Sequence, residues 1–444
     1  MRYQQYIDSK VNWIGLVPND WQRTRIKFGI RRSAAGVWGN DEKGNSDDVI
    51  CFRIADFDYS HGELKLDNIT LRNIEKNQLE GRLLSYGDLL IEKSGGGDAT
   101  PVGRVVRVNY EGKATCSNFI HSLTLNVKLD NNFMYYYFHF LYSNKVNLLF
   151  FNQTTGLQNL KVSDYLSQSI YVPTIDEQKA IANYLGIQCA KIDKVIAAQE
   201  KRVELLRELK QTIITRAVTH GINPDVKLKD SVAKCIGQIP EHWEILKVKY
   251  IASLYGRIGF RGYNQSDIVL EGEGAITLSP SNMKEKMNYN SCTYLSWHKY
   301  YESPEIMIKD GDILFVKTGS TYGKSVLVDN LPMEATINPQ IVVFKDFKCH
   351  NKFLSYVLKT PYIRAQVDNT VIGSTIPTIS QEKIKNYCIA LPPLSEQCEI
   401  CEYIEKKTIK IDSSLSIALH QIDLLKEYKQ SLITEVVTGK RKVF

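Results

Sequence analysis

Gly319-Ser-Thr-Tyr-Gly323-Lys324-Ser325 comes near a nucleotide-cradling loop, in which glycine amides and one lysine hold phosphates. It is one residue short of that spacing, and no helical pattern follows it. Asn338-Pro-Gln-Ile341 lacks the second proline and the aromatic ring of an amino-methyltransferase motif. Gly256-Arg-Ile-Gly259-Phe-Arg-Gly262 lacks dinucleotide-binding spacing and a following acidic residue. Cys398 and Cys401 form one CxxC, but it lies in a helical pattern with no second Cys or His pair nearby. It reads as core thiols rather than as a zinc or redox site. The 8 histidines show no metal-ligand spacing. The expectation is therefore a chain with no catalytic set, no metal and no cofactor of its own.

Glycine-rich turns also suit a simpler task. Small residues let backbone amides approach phosphate, and a nearby cation adds charge. One such turn is Lys93-Ser94-Gly95-Gly96-Gly97 with Arg104; another is Lys317-Thr318-Gly319-Ser320 with Tyr322 and Lys324. The competing reading is a tight hairpin turn at each place. A second pair of polar loops is Gly156-Leu-Gln158-Asn159 with Lys161, and Gly373-Ser374-Thr375-Ile-Pro377. Gln and Asn side chains can reach adenine edges. Arg53 and Thr277 lie in roughly matched runs and are DNA-contact candidates at the same level. Arg257 and Arg261 have no counterpart earlier in the chain, so they are candidates for contacts made by one half only.

These candidates come in pairs because the chain is written twice. Trp13-Ile-Gly15-Leu-Val-Pro18-Asn-Asp-Trp21 returns as Cys235-Ile-Gly237-Gln-Ile-Pro240-Glu-His-Trp243. Gly87-Asp88-Leu-Leu-Ile-Glu-Lys93 returns as Gly311-Asp312-Ile-Leu-Phe-Val-Lys317. Residues 173–219 match 392–438 at 17 of 47 positions without a gap. Between these anchors, stretches 28–86 and 250–310 share almost nothing. One frame thus holds two divergent inserts, as suits one architecture reading two different things.

The Gly-Asp runs open short apolar strands, with partner strands expected near 102–109 and 325–329. Phe133–Tyr142 and Phe353–Leu358 read as helices. Tyr135-Tyr136-Tyr137 at helical spacing fits a core face better than base stacking. Ile192, Ile196, Gln199, Val203, Leu206, Lys210, Ile213 and Ala217 form a heptad seam. Ile411, Leu415, Ala418, Ile422, Leu425, Lys429, Leu432 and Val436 form its counterpart. Lys210 and Lys429 hold equivalent seam positions and suit register-fixing. Two helices packed separately on two domains would be the alternative.

Chain order makes a paired arrangement antiparallel, with an insert at each end and a pseudo-two-fold axis across its middle. Ile192 to Ala217 would span roughly 38 Å at ~1.5 Å per residue. Half-sites one turn of duplex apart are ~34–36 Å from each other. The expectation is a bipartite, asymmetric DNA target with an unread gap.

The chain has 444 residues, 43% hydrophobic and 24% charged, with net charge +7. That permits nucleic acid without demanding it, and excludes mostly disordered or membrane-embedded classes. The 9 cysteines, scattered and odd in number, read as reduced thiols. With no apolar stretch near the start, the chain reads as cytoplasmic.

The doubled motifs resemble the specificity subunit of Type I restriction-modification enzymes. They are the Ile-Gly-x-[Val/Ile]-Pro-x-x-Trp opening, the Gly-Asp-x-Leu-x-x-Lys strand, the Pro-x-x-x-Glu-Gln helix start and the endings Ile214–Thr219 and Ile433–Gly439. The resemblance covers nearly the whole chain. His220 replaces a usual Gly, and Cys235 stands where a Trp, as at Trp13, is expected.

The resemblance implies a mixed α/β (α+β) fold with two globular target recognition domains separated by two long antiparallel helices forming a coiled coil. Its boundaries are 1–172 for the first domain, 173–221 for the first helix, 222–391 for a linker and the second domain, and 392–444 for the second helix. It implies a non-catalytic subunit binding double-stranded DNA, two adenine methyltransferase subunits and, in the full enzyme, restriction translocase subunits. S-adenosylmethionine, ATP and Mg²⁺ then belong to those partners. Tyr184, Lys191, Tyr403 and Lys410 are the candidate partner contacts.

Overall fold

The computed structural model describes every residue except Met1, Arg2, Asp98, Thr155, Gly156, Lys234, Ser374 and Phe444. The chain forms two compact units, Met1–Glu200 with His420–Phe444, and Lys201–Leu419. Two long helices, Ile175–His220 and Leu394–Val437, each contribute to both.

In the first unit the central strand Leu89–Glu92 lies between Ile120–Leu125 and Val105–Arg107, antiparallel to both. In the second, Ile313–Val316 lies between Ile341–Lys345 and Ser325–Leu327 in the same way. The Gly-Asp signature that opens each central strand has a structural cause. Gly87 and Gly311 sit at φ of 83° and 90°, which favours glycine, and an added Cβ would press on Asn131 or Asn351. The buried Asp88 accepts from the Ser85 amide and pairs with Arg32 at 3.0 Å. Asp312 accepts from the Lys309 amide and pairs with Lys345 at 2.7 Å.

The divergent inserts share a topology that their residues hide. Asp48–Phe52 pairs parallel with Ala114–Cys116, and Gly274–Leu278 pairs parallel with Ala335–Ile337. Each strand is followed by a 3-10 turn whose first amide is capped three residues on. Arg53 N–H donates to Asp56, and Ser279 N–H to Asn282. The structural counterpart of Arg53 is therefore Ser279, and the expected match with Thr277 is corrected by two residues.

Short helices follow at Asn131–Ser143 and Asn351–Val357, and Tyr135, Tyr136 and Tyr137 are buried in the core. The Gln of each Pro-x-x-x-Glu-Gln start is a buried bracket. Gln178 accepts from the Asp130 amide and donates to Pro173 and Lys128 carbonyls. Gln397 accepts from the His350 amide and donates to the Pro392 carbonyl. Both brackets fix the start of a long helix against the cap of a short one.

Within the first unit the long helices run antiparallel, since Asp193 pairs with Lys429 and Glu200 with Lys426. Most seam positions are buried, Ile196, Val203, Ala418 and Val436 among them. Lys429–Asp193 at 2.7 Å has its repeat equivalent in the second unit, Lys210–Asp412 at 2.5 Å. The seam lysines thus end in ion pairs. Cys398 and Cys401 lie in the second long helix, and burial pushes the Cys401 thiol up to about 12. Among the described residues no helix is long and apolar enough to cross a membrane.

Candidate nucleic-acid interface

Each unit joins its two predicted polar loops by the same clasp. In the first, Ser94-Gly95 forms a short strand against Leu157–Leu160, pairing Ser94 with Asn159 and Gly95 with Gln158. Leu160 N–H donates to Lys93 C=O at 2.8 Å, and Ser94 Oγ donates to Asn159 Oδ1 at 2.6 Å. In the second, Thr318 bridges Thr378, Ile379 N–H donates to Lys317 C=O at 2.8 Å, and Gly319 N–H donates to Pro377 C=O at 3.0 Å. Lys93 and Ser94 amides both point at Phe119 C=O, as Lys317 and Thr318 amides point at Gln340 C=O. The amides of Lys93, Ser94, Lys317, Thr318 and Gly319 are therefore used within the protein rather than offered to phosphate.

Several predicted contact side chains face solvent: Asn159, Lys161, Ser320 and Thr375 are exposed. Lys93 is half-buried near His121, whose imidazole is held down to about 4 by burial and then by the Lys93 charge. Lys317 is half-buried, and burial lowers its ammonium. Gly96 is exposed at φ 66°, where an added Cβ would press on the Val102 amide. Gly156 and Ser374 lie outside the described residues.

Other predicted contacts are corrected. Arg104 makes a two-pronged ion pair with buried Glu92, at 3.0 and 2.8 Å, beneath the Tyr59 ring. Its charge is spent inside the unit. Gln158 is buried, and its Oε1 accepts from the Val102 amide at 3.2 Å, so it braces the glycine turn instead of reading a base. Arg53 is half-buried and paired with Asp56 at 2.7 Å. Thr277 is 2% exposed in the middle of a sheet. Arg257 is buried, donating to Ile337 C=O and Thr336 Oγ1, and burial lowers its pKa. Arg261 pairs with Glu305 at 3.3 Å. Tyr322 donates to Asp368 and lies under Arg364. Of the predicted partner contacts, Lys191 and Lys410 are exposed, and Tyr184 and Tyr403 are half-buried.

One feature of the second unit escaped the sequence reading. A groove of about 1100 Å³ runs beside Ser320 and Lys324. It collects Arg207, Lys284, Lys286 and Lys359 around the predicted Lys324. Glu285, Asp329 and Asp412 also line the groove, with Asp412 paired to Lys210, but among the described residues none forms an ion pair with these five cations. Lys284-Glu-Lys286 was a visible basic pair in the sequence, but nothing in the spacing ties it to a helix lysine or to Lys359. Among the described residues no group of three His, Cys, Asp or Glu could hold a metal ion.

The family model for the Type I restriction modification DNA specificity domain matches residues 57–204 and 300–417. Among curated proteins, the chain is similar to the putative type I restriction enzyme MjaX specificity subunit of Methanocaldococcus jannaschii. The two are 24% identical over 454 residues, covering 97% of this chain and 96% of that protein. It is also similar to the MjaVIII specificity subunit of the same organism, at 24% over 294 residues, covering 65% of this chain and 66% of that one. A solved chain from work on complex assembly and conformational transition of the type I R-M system shares the fold. Its TM-score is 0.68 at 14% identity, covering 95% of this chain and 98% of that one. The model match, one copy in each half and together more than half of the chain, places this protein in the Type I restriction-modification DNA specificity family, as a non-catalytic subunit that confers DNA sequence specificity.

Proposed function

We propose that each unit reads one half of a bipartite, asymmetric site on double-stranded DNA, and that the paired long helices set the unread gap. The same helices seat two adenine methyltransferase subunits, with Tyr184, Lys191, Tyr403 and Lys410 among the contacts, and restriction translocase subunits join in the full enzyme. S-adenosylmethionine, ATP and Mg²⁺ act in those partners, and the complex works in the cytoplasm. The observation that carries this reading is the clasp. The same hydrogen bonds, Leu160 to Lys93 and Ile379 to Lys317, recur under two inserts of unlike sequence. A constant frame presenting two variable surfaces is what two independent half-site readers need.

On those surfaces, exposed Asn159 and Lys161 in one unit and Ser320 and Thr375 in the other offer donors to bases and phosphates. The test is a mobility shift with the methyltransferase subunits present. A sequence-dependent shift that weakens steeply with salt supports the reading. Binding that ignores sequence contradicts it, as does methyl transfer from labelled S-adenosylmethionine by the purified chain alone.

A further inference from the structure

The two units share a frame but not a charge. Lys284 and Lys286 follow the capped turn Pro280–Asn282 and are exposed. The matching positions after Ile54–Asp56 are Asp58, which pairs with His61, and Ser60. Lys324 precedes the strand Ser325–Leu327, just where Arg104 precedes Val105–Arg107. Arg104 is neutralised by Glu92, but the residue facing Lys324 at the Glu92 position is the apolar Val316.

Lys359 lies eight residues into the segment that starts at Asn351, as His139 lies eight into the one that starts at Asn131. His139 is held down to about 4 by burial and then by Lys429, and so is uncharged at neutral pH. Arg207 has as its repeat equivalent Lys426, which faces Glu200 at 3.9 Å. At all five places the first unit is neutral or compensated, and the second carries a cation in no direct ion pair among the described residues, with Glu285 and Asp329 nearby on the groove wall. Burial lowers the Lys359 ammonium first and the charge of Lys210 adds to it, while Glu285 and Asp329 act the other way; a bound anion would favour its charged form.

We infer that the groove of the second unit, through Arg207, Lys284, Lys286, Lys324 and Lys359, is a track for the DNA phosphate backbone, and that the first unit has no equivalent. The subunit then holds DNA asymmetrically, with the second unit supplying a five-cation grip that the first, with Lys161 on its polar loop, does not match. This inference rests on the DNA reading above.

The experiment uses the full chain with its methyltransferase subunits and a labelled duplex of unselected sequence, with anisotropy measured across a salt series. Each lost phosphate contact lowers the slope of log K against log salt by about 0.9. The variant K284Q/K286Q/K324Q should therefore lower it by about 2.7, while K43Q/K65Q/K76Q in the first unit leaves it unchanged. K284Q alone, at an exposed position with no side-chain partner, should lower it by about 0.9 and guards against misfolding of the triple variant. Equal losses in both triple variants would overturn the inference by making the effect one of net charge. An unchanged slope with release of the methyltransferase subunit would also overturn it, because the groove would then take an acidic protein segment. Wild-type protein whose binding ignores salt would instead sink the DNA reading itself.

Discussion

Replacing Arg104 with Gln separates two roles that the sequence alone could not. Arg104 reaches Glu92 through both Nε and Nη2, and Glu92 is 3% exposed. Removing the guanidinium leaves a buried carboxylate supported, among the described residues, only by the Tyr59 hydroxyl and the Arg104 amide. Breaking a buried pair from one side costs about 3–5 kcal/mol. Arg104 keeps 27% of its side-chain exposure, and Tyr59 still donates, so the low end applies, about 3 kcal/mol. For a unit of this size that lowers the melting temperature by roughly 6–12 °C. Scanning calorimetry of the full chain should show the loss in one transition, and E92Q/R104Q should recover part of it, since no charge is then stranded. The salt dependence of DNA binding should stay at the wild-type slope. A variant that melts normally but loses about 0.9 of slope would refute the reasoning and return Arg104 to the phosphate-contact set.

Three further outcomes follow from the frame. Gln397→Ala should destabilise the second unit by about 1–3 kcal/mol, because the His350 amide and Pro392 carbonyl lose their buried partner; chemical denaturation reads this directly. Lys210→Glu should cost about 1 kcal/mol, with recovery in K210E/D412K, and the coupling should shrink at high salt because both groups are partly exposed. His139 is held down to about 4 when folded, against an ordinary value near 6.5. The unfolded chain therefore binds the extra proton first, and stability falls as pH drops from about 6.5 to 4, by up to about 1.4 kcal/mol per pH unit. His139→Gln should flatten that part of the stability profile.

The long helices were legible in the sequence because their seam recurs every three and four residues and their Pro-x-x-x-Glu-Gln starts repeat. The paired central strands were legible because Gly87 and Gly311 must take a left-handed turn ahead of an apolar run. The inserts were not. Asp48–Phe52 and Gly274–Leu278 occupy the same place in two sheets and share only Ile50 and Ile276 at matched positions, since a buried strand needs only apolar character. That is why Arg53 was matched two residues away from its counterpart. The site failed for a different reason. Whether a cation is free depends on a carboxylate brought from another strand; the Glu92-to-Val316 difference is visible in the matched runs, but that this position faces Arg104 or Lys324 shows only in the fold. Gln158 looked like a base reader by type, and only its contact with the Val102 amide shows it to be a brace.

The central claim is that two independent readers share one frame. Mapping methylated adenines in the genome of a host carrying the gene, before and after exchange of residues 250–390 for another insert, tests it most directly. The account predicts a bipartite asymmetric motif in which the exchange rewrites one half-site and preserves the other half-site and the gap. Lengthening the first long helix by about one turn after Gln199 should, in the same assay, change the gap alone. An exchange that alters both half-sites together, or methylation at a continuous motif without a gap, would contradict it.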